Sequence, residues 1–284
     1  MDGRVRVAAA HLAAAGSAGD APDFVGATAA VVAAAEAGAR LLLLPELFAW
    51  PFFPLDDPQR WGHVAESVTG ETLRWAEAAA RRHDLHLVVP FVLARRSERP
   101  WNAVASVAPG AAARVVAAKI HLPPAGPGDR FGEPDHFAAG PSEIGVFAAA
   151  GVRIAALVCF DRRFPECWRA ARAAGADLVV CPVAGPADED DDYFAAEFRT
   201  HARASGVFAL SSAMTGEETV AGRRLRHDGD SLAVDAAGRI LARRRTGDAP
   251  GLVILDFDPA ALVEARRAFP NFELRRNPHP AAGL

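Results

Sequence analysis

Short, continuously apolar runs alternate with amphipathic stretches along the whole chain. The run 41–44 is four leucines in a row, the pattern of a strand buried on both faces. Similar runs at 5–11, 85–93, 102–107, 114–118, 144–147, 152–158, 178–181, 207–211, 231–234, 240–243 and 252–257 predict further strands. Helices are predicted over 23–39, capped near Asp23 and ended near Gly38, and over 70–83 with Thr69 as cap. Three more are predicted over 165–174, with Pro165 in the first turn, over 193–205, and over 259–268. Turns fall at Ala108-Pro109-Gly110, at Gly151 and at Asp235-Ala236-Ala237-Gly238, and a Pro/Gly-rich loop covers 122–140. Strands and helices alternate without a Ser/Gly linker or a repeat. The expectation is one α/β domain over 1–268 with a mixed sheet, because the late hairpin is antiparallel, followed by an extended Pro/Asn-rich tail over 269–284.

Composition narrows the function. The chain has 284 residues, 51% apolar and 23% charged, with a formal net charge of −4. No basic stripe points to nucleic acid or to an anionic membrane, and no apolar run is long enough to span a bilayer. Three cysteines are too few for a disulfide scaffold and fit a reducing compartment. The N-terminal segment reads as a first strand rather than a leader, so a cytoplasmic location is expected. No Cys or His spacing suggests zinc, and no metal or cofactor is expected.

The candidate chemistry sits at three strand ends. Cys159 follows the run 152–158 and precedes Phe160-Asp161-Arg162-Arg163-Phe164-Pro165-Glu166, a turn into a helix. Its position near a helix N-terminus and two arginines predicts a depressed thiol pKa. Glu46 and Lys119 also sit just past predicted buried strands. Side chains at the carboxyl ends of such strands converge on one crevice. A thiol nucleophile, a carboxylate base and an ammonium, with the Phe160 N–H as a second oxyanion donor, form a coherent acyl-transfer set. Taken singly, Glu46 reads as a helix cap or surface carboxylate, and Lys119 as a solvated charge at a strand's end.

The surrounding words resemble the nitrilase, or carbon–nitrogen hydrolase, superfamily over nearly the whole chain. They are Leu43-Leu44-Pro45-Glu46-Leu47-Phe48, Lys119-Ile120-His121-Leu122-Pro123 and Val158-Cys159-Phe160-Asp161-Arg162-Arg163-Phe164-Pro165-Glu166, in that order. Trp101-Asn102-Ala103 and Gly229-Asp230-Ser231-Leu232-Ala233-Val234-Asp235 with Gly238 fit two further family strands. The resemblance implies a four-layer α-β-β-α sandwich and a linear C–N bond hydrolase without a cofactor. It implies Glu46 as base, Lys119 as oxyanion stabiliser and Cys159 as nucleophile. Glu133, in Phe131-Gly132-Glu133-Pro134, resembles the additional active-site glutamate that orients the substrate amide and Lys119; its alternative is a loop surface charge. A homodimer or higher homo-oligomer is implied, with the tail at the interface.

Asp161 in Cys159-Phe160-Asp161 favours the amidase and N-carbamoyl amidase branches over true nitrilases. The stretch 265–278 and the aromatic segment 45–54, with Phe52 as a pocket wall, resemble carbamoylputrescine amidase. Arg162 and Arg163 resemble the carboxylate-holding arginines of N-carbamoyl-D-amino-acid hydrolase, although Arg163 reads equally as a partner of buried acids. Asp188-Glu189-Asp190-Asp191-Asp192 pulls toward an amine, or is simply a solvated loop. His201 resembles a position near the pocket, His121 a structural histidine, and Cys167 and Cys181 packing residues. The expected reaction is hydrolysis of a small amide or N-carbamoyl substrate through a thioester-type intermediate. Nitrile or ω-amide hydrolysis and a catalytically silent oligomeric scaffold are the alternatives.

Overall fold

The computed structural model describes residues 3–14, 21–185, 192–227 and 229–276. The first half runs β1 (Val5–Ala13), α1 (Val25–Glu36), β2 (Leu41–Leu43), α2 (Glu71–His83), β3 (His86–Arg95), β4 (Glu98–Val107) and β5 (Arg114–Ala118). A one-turn helix α3 (Glu133–His136) leads to β6 (Phe147–Ala149), β7 (Val152–Ala156), α4 (Pro165–Ala173), β8 (Leu178–Val183), α5 (Tyr193–Ser205) and β9 (Phe208–Thr215). A small hairpin of β10 (Glu217–Val220) and β11 (Arg223–Arg226) precedes β12 (Ser231–Val234), β13 (Ile240–Arg244) and β14 (Gly251–Phe257). The described chain closes with α6 (Pro259–Ala268) and α7 (Asn271–Leu274).

Strands β14-β1-β2-β3-β4-β5 form one six-stranded half and β13-β12-β9-β8-β7-β6 the other. The halves join where Leu12 and Ala13 of β1 pair with Met214 and Thr215 of β9. Alternation along the first half assigns the layers. Val7, Ala9, Leu41, Leu43, Val88 and Val104 pack with the second sheet, among Ile154, Val179 and Leu210. Their neighbours Ala8, Ala10, Leu42, Leu44, Leu87 and Ala105 pack instead with Ala27, Ala34, Leu73 and Ala76 of α1 and α2. On the far side, Trp168 and Ala171 of α4 and Phe198 and Ala202 of α5 cover the second sheet. The result is the expected helix–sheet–sheet–helix sandwich. Strands covered on both faces are why the sequence runs are continuously apolar. Among the described residues no helix is long and apolar enough to cross a membrane.

Several local expectations are corrected. The strand expected at 144–147 lies at Phe147–Ala149, because the tight Ala150-Gly151 turn starts the ladder at Ala149 opposite Val152. Thr69 does not cap α2; its hydroxyl meets Ser67, while the Glu66 carboxylate accepts the Thr72 N–H at 3.0 Å. The tail is not extended throughout. Asn271–Leu274 forms a helical turn held by Glu273 on Arg172 (2.8 Å), with the Arg172 guanidinium over the Phe272 ring. Residues 277–284 lie outside the described residues. The hairpin β10–β11 was not expected at all.

Trp168 links the outer layer to the turn after β7. It is fully buried, stands edge-on to Phe198, and donates its indole N–H to the Arg162 carbonyl at 2.8 Å. Trp168→Ala should cost about 3–5 kcal/mol of stability, from lost burial and the cavity left behind. Urea denaturation measures this, and a loss below about 1 kcal/mol would mean that α4 repacks around the gap.

Candidate active site

The site forms where β2, β5 and β7 end. Leu41–Leu43 delivers Glu46 through Pro45, and the carboxylate is completely buried. Its Oε1 accepts from Asn102 Nδ2 at 2.6 Å and from Lys119 Nζ at 2.8 Å; its Oε2 accepts from the Ala184 N–H at 3.0 Å. Lys119 is the residue after β5. Its Nζ also donates to Glu133 Oε1 at 2.5 Å. Glu133 opens α3 and is buried, so it is not a surface charge. Gly132 makes this possible: a Cβ there would lie 2.3 Å from the Ala125 backbone nitrogen. The second Glu133 oxygen, Oε2, is buried without a hydrogen-bond partner among the described residues.

Cys159 opens the turn after the third strand with a φ of 46°, left-handed backbone that a residue with a Cβ adopts at a cost of roughly 1–3 kcal/mol. Asp161 holds the turn. Its Oδ2 accepts the Val158 and Ile120 N–H groups, both at 3.2 Å, and its Oδ1 accepts the His121 N–H and Nδ1–H, both at 2.8 Å. One carboxylate therefore ties the cysteine turn to the residues just after Lys119. Phe160 is the second residue of that turn, where N–H groups have no partner inside a helix.

Burial dominates the electrostatics. It pushes the Cys159 thiol up to about 12; Glu46 adds to the rise, and Lys119 and Arg162 offset only part of it. The expected depressed pKa is thus corrected. Lys119 and Arg162 do not outweigh removal from water, and the resting thiol is neutral. Burial likewise raises Glu133 to about 7 against the pull of Lys119. Lys119 is held firmly charged: burial opposes the ammonium, but Glu133 and Glu46 outweigh it.

A cavity of about 450 Å³ opens beside Cys159 and Glu133. Phe52, Pro54, Leu55 and Phe131 line it, as do Phe160, Arg162 and Arg163. Arg162 is already paired, its Nε 3.2 Å from Glu197 Oε2 and its guanidinium 4.4 Å from the Phe194 ring centre. Arg163 is half-buried, and burial and Arg162 both lower its pKa. His201 is not brought to this cavity. It stacks on Trp168 in the outer layer, 5.4 Å between ring centres. Of the acidic run, residues 188–191 lie outside the described residues, and Asp192 pairs with Arg243 at 3.2 Å.

His121, Asp161 and Cys167 bring a nitrogen, an oxygen and a sulfur within 4.8 Å of one another. Asp161 already accepts four N–H groups, so this set acts as a structural tie. Sequence reasoning assigned no role to Asn102, Ala184 or Gly185. Asn102 was visible as part of a familiar strand; the other two act through backbone atoms, which leave no side-chain signal.

Residues 6–267 match the family model described as carbon-nitrogen hydrolase. A deaminated glutathione amidase of Synechocystis sp. (strain PCC 6803 / GT-S) is 26% identical over 84% of this chain and 86% of its own. A beta-ureidopropionase of Arabidopsis thaliana is 28% identical over 66% of this chain and 45% of its own. A solved double mutant of the amidase from Nesterenkonia sp. AN1, in complex with acrylamide, has a TM-score of 0.72 at 26% identity, covering 93% of this chain and 95% of that one. The match runs from the first strand into the last long helix, so the chain belongs to the carbon–nitrogen hydrolase family and is a hydrolase of amidase type.

Proposed function

We propose that this chain hydrolyses a small linear amide of the N-carbamoyl kind through a thioester-type intermediate on Cys159. The observation that carries the reading is the buried Glu46–Lys119–Glu133 cluster beside the Cys159 cavity. Glu46 takes the thiol proton as Sγ attacks the carbonyl carbon, so no resting thiolate is needed. Lys119 and the Phe160 N–H stabilise the oxyanion. Glu46 hands the proton to the leaving nitrogen, and ammonia or an amine departs. Water, deprotonated by Glu46, then cleaves the acyl or carbamoyl enzyme. A carbamoyl substrate ends as amine, carbon dioxide and ammonia. The unpartnered Glu133 Oε2 suits a substrate N–H donor.

Arg162 and Arg163 on the cavity wall, and the likeness to a beta-ureidopropionase, support an N-carbamoyl substrate bearing a carboxylate. Phe52 supplies an apolar wall. A simple carboxamide is the second reading, favoured by the acrylamide complex of the Nesterenkonia amidase. The substrate is a small molecule, and the active form is a homo-oligomer.

An ammonia-release screen over N-carbamoyl amino acids, carbamoyl polyamines, ω-amides, simple amides and nitriles separates these readings. Turnover of N-carbamoyl amino acids above the others supports the first; turnover of carboxamides alone replaces it with the second. Cys159→Ala should abolish turnover while circular dichroism stays unchanged, and full activity in that variant would end the mechanism.

Glu133 loses its charge as pH falls through about 7, so kcat/KM should fall on the acid side with an apparent pKa near 7. Glu133→Gln should lower kcat by about 100-fold or more and remove that limb of the profile. Stability runs the other way. The folded pKa lies above the ordinary value of 4.5, so the unfolded chain ionises first, and stability is lost as pH rises from 4.5 to about 7. In urea titrations the stability of Glu133→Gln relative to the parent should therefore be more favourable at about pH 8 than at about pH 5.

A further inference from the structure

The hairpin β10–β11 pairs only with itself among the described strands, yet it carries a buried polar pair that reaches the site. The side chains of His227, just past β11, and Glu218 of β10 are both buried, and His227 Nε2 lies 2.5 Å from Glu218 Oε1. His227 Nδ1 accepts the Gly185 N–H at 3.1 Å. A ring nitrogen that accepts has no proton, so the hydrogen-bond pattern assigns the proton to Nε2, facing Glu218. The same Glu218 oxygen accepts the Phe52 N–H at 3.0 Å. The Phe52 ring stands edge-on to His227 at 6.3 Å.

These contacts converge on two residues. Ala184 donates its N–H to Glu46 Oε2, and its carbonyl lies 3.5 Å from Cys159 Sγ. Gly185 follows with a φ of +99°, and a Cβ there would lie 2.6 Å from the Phe52 ring. Ala184 thus touches both the base and the nucleophile, and the peptide whose carbonyl meets the sulfur has its N–H held by His227.

We propose that Glu218 and His227 are a positioning dyad that holds Ala184-Gly185, and through it Glu46 and Cys159, in reacting geometry. The proposal rests on the amidase reading for its turnover test. Neither residue lines the cavity, so they act through the backbone and not on the substrate. The second Glu218 oxygen, Oε2, is buried without a hydrogen-bond partner among the described residues. A carboxylate kept there at a desolvation cost, with one oxygen serving both Phe52 and His227, fits a role in orientation better than one in packing.

The test uses His227→Ala, Glu218→Ala, Glu218→Gln and the double alanine variant of the full chain. Each alanine variant should lower kcat about tenfold or more with KM changed less than about threefold, the penalty of slightly misplaced reacting groups. Glu218→Gln keeps an acceptor oxygen for Phe52 and His227 and should recover most of the loss. The double variant should be little worse than either single one, because the two residues act as a unit. Alkylation of Cys159 by iodoacetamide is read in parallel, and should slow in the alanine variants but not in Glu218→Gln. Slowed alkylation in a protein that turns over no amide leaves the dyad standing and removes the amidase reading instead. Unchanged kcat and alkylation in a folded His227→Ala or Glu218→Ala overturns the dyad, as does Glu218→Gln failing as badly as Glu218→Ala. Should one alanine variant not fold, the other carries the test.

Discussion

The site depends on one fully buried ammonium. Lys119 has no water to solvate it, and an isolated charge in such a place is prohibitively expensive. Two carboxylates compensate it, Glu46 at 2.8 Å and Glu133 at 2.5 Å, and Asn102 and the Ala184 N–H satisfy the remaining side of Glu46. Each partner is then held by what it would leave uncompensated. Removing one member of such a buried set typically costs about 3–5 kcal/mol, far above the worth of a surface ion pair. The ends of β2 and β5 and the start of α3 are therefore locked together by electrostatics, with little freedom to drift.

A second constraint brings the thiol to that cluster. Asp161 spends its carboxylate on N–H groups from both sides of the site, at Val158 and at Ile120 and His121. Its reward is a turn tight enough to hold Cys159 at a φ of 46°. Strain of this kind persists only where the surroundings over-determine it. Here Asp161 and the buried Trp168, bonded to the Arg162 carbonyl, supply that support. The arginines beside the thiol look activating on paper. Arg162, however, is paired with Glu197, and the thiol is largely buried, so burial wins. The arrangement suits a thiol that gives up its proton only when an electrophile arrives and a base is already aimed.

Above this rigid floor the cavity is assembled from loops and backbone. The Phe52 segment, the loop leading to Gly132 and the Ala184-Gly185 segment come from different parts of the chain. They meet through close approaches that only glycine permits, at 132 and at 185. The cavity wall is thus carried largely by loops, while the buried ion cluster fixes the strand ends beneath it.

What the amino-acid order determined by itself was whatever is written in local pattern. Continuous apolar runs marked strands covered on both faces, helical spacing marked α4, α5 and α6, and the words around Glu46, Lys119 and Cys159 pointed to the carbon–nitrogen hydrolase family. The structure brings Lys119 against Glu46 and Glu133 and opens one cavity beside Cys159. What escaped is what depends on neighbours distant in sequence. The hairpin β10–β11 is charged at most positions and turns at Ala221-Gly222, without the Asn or Asp that usually signals a two-residue turn, so its pattern read as loop. The thiol's protonation state was misjudged because burial is a property of packing, and no count of nearby arginines reveals it. His201 sits on the expected helix, but its ring lies on Trp168 because the outer layer claims that face of α5. The roles of Ala184 and Gly185 belong to peptide groups, which every residue carries alike. Only the folded chain decides which of them meets a carboxylate and a sulfur.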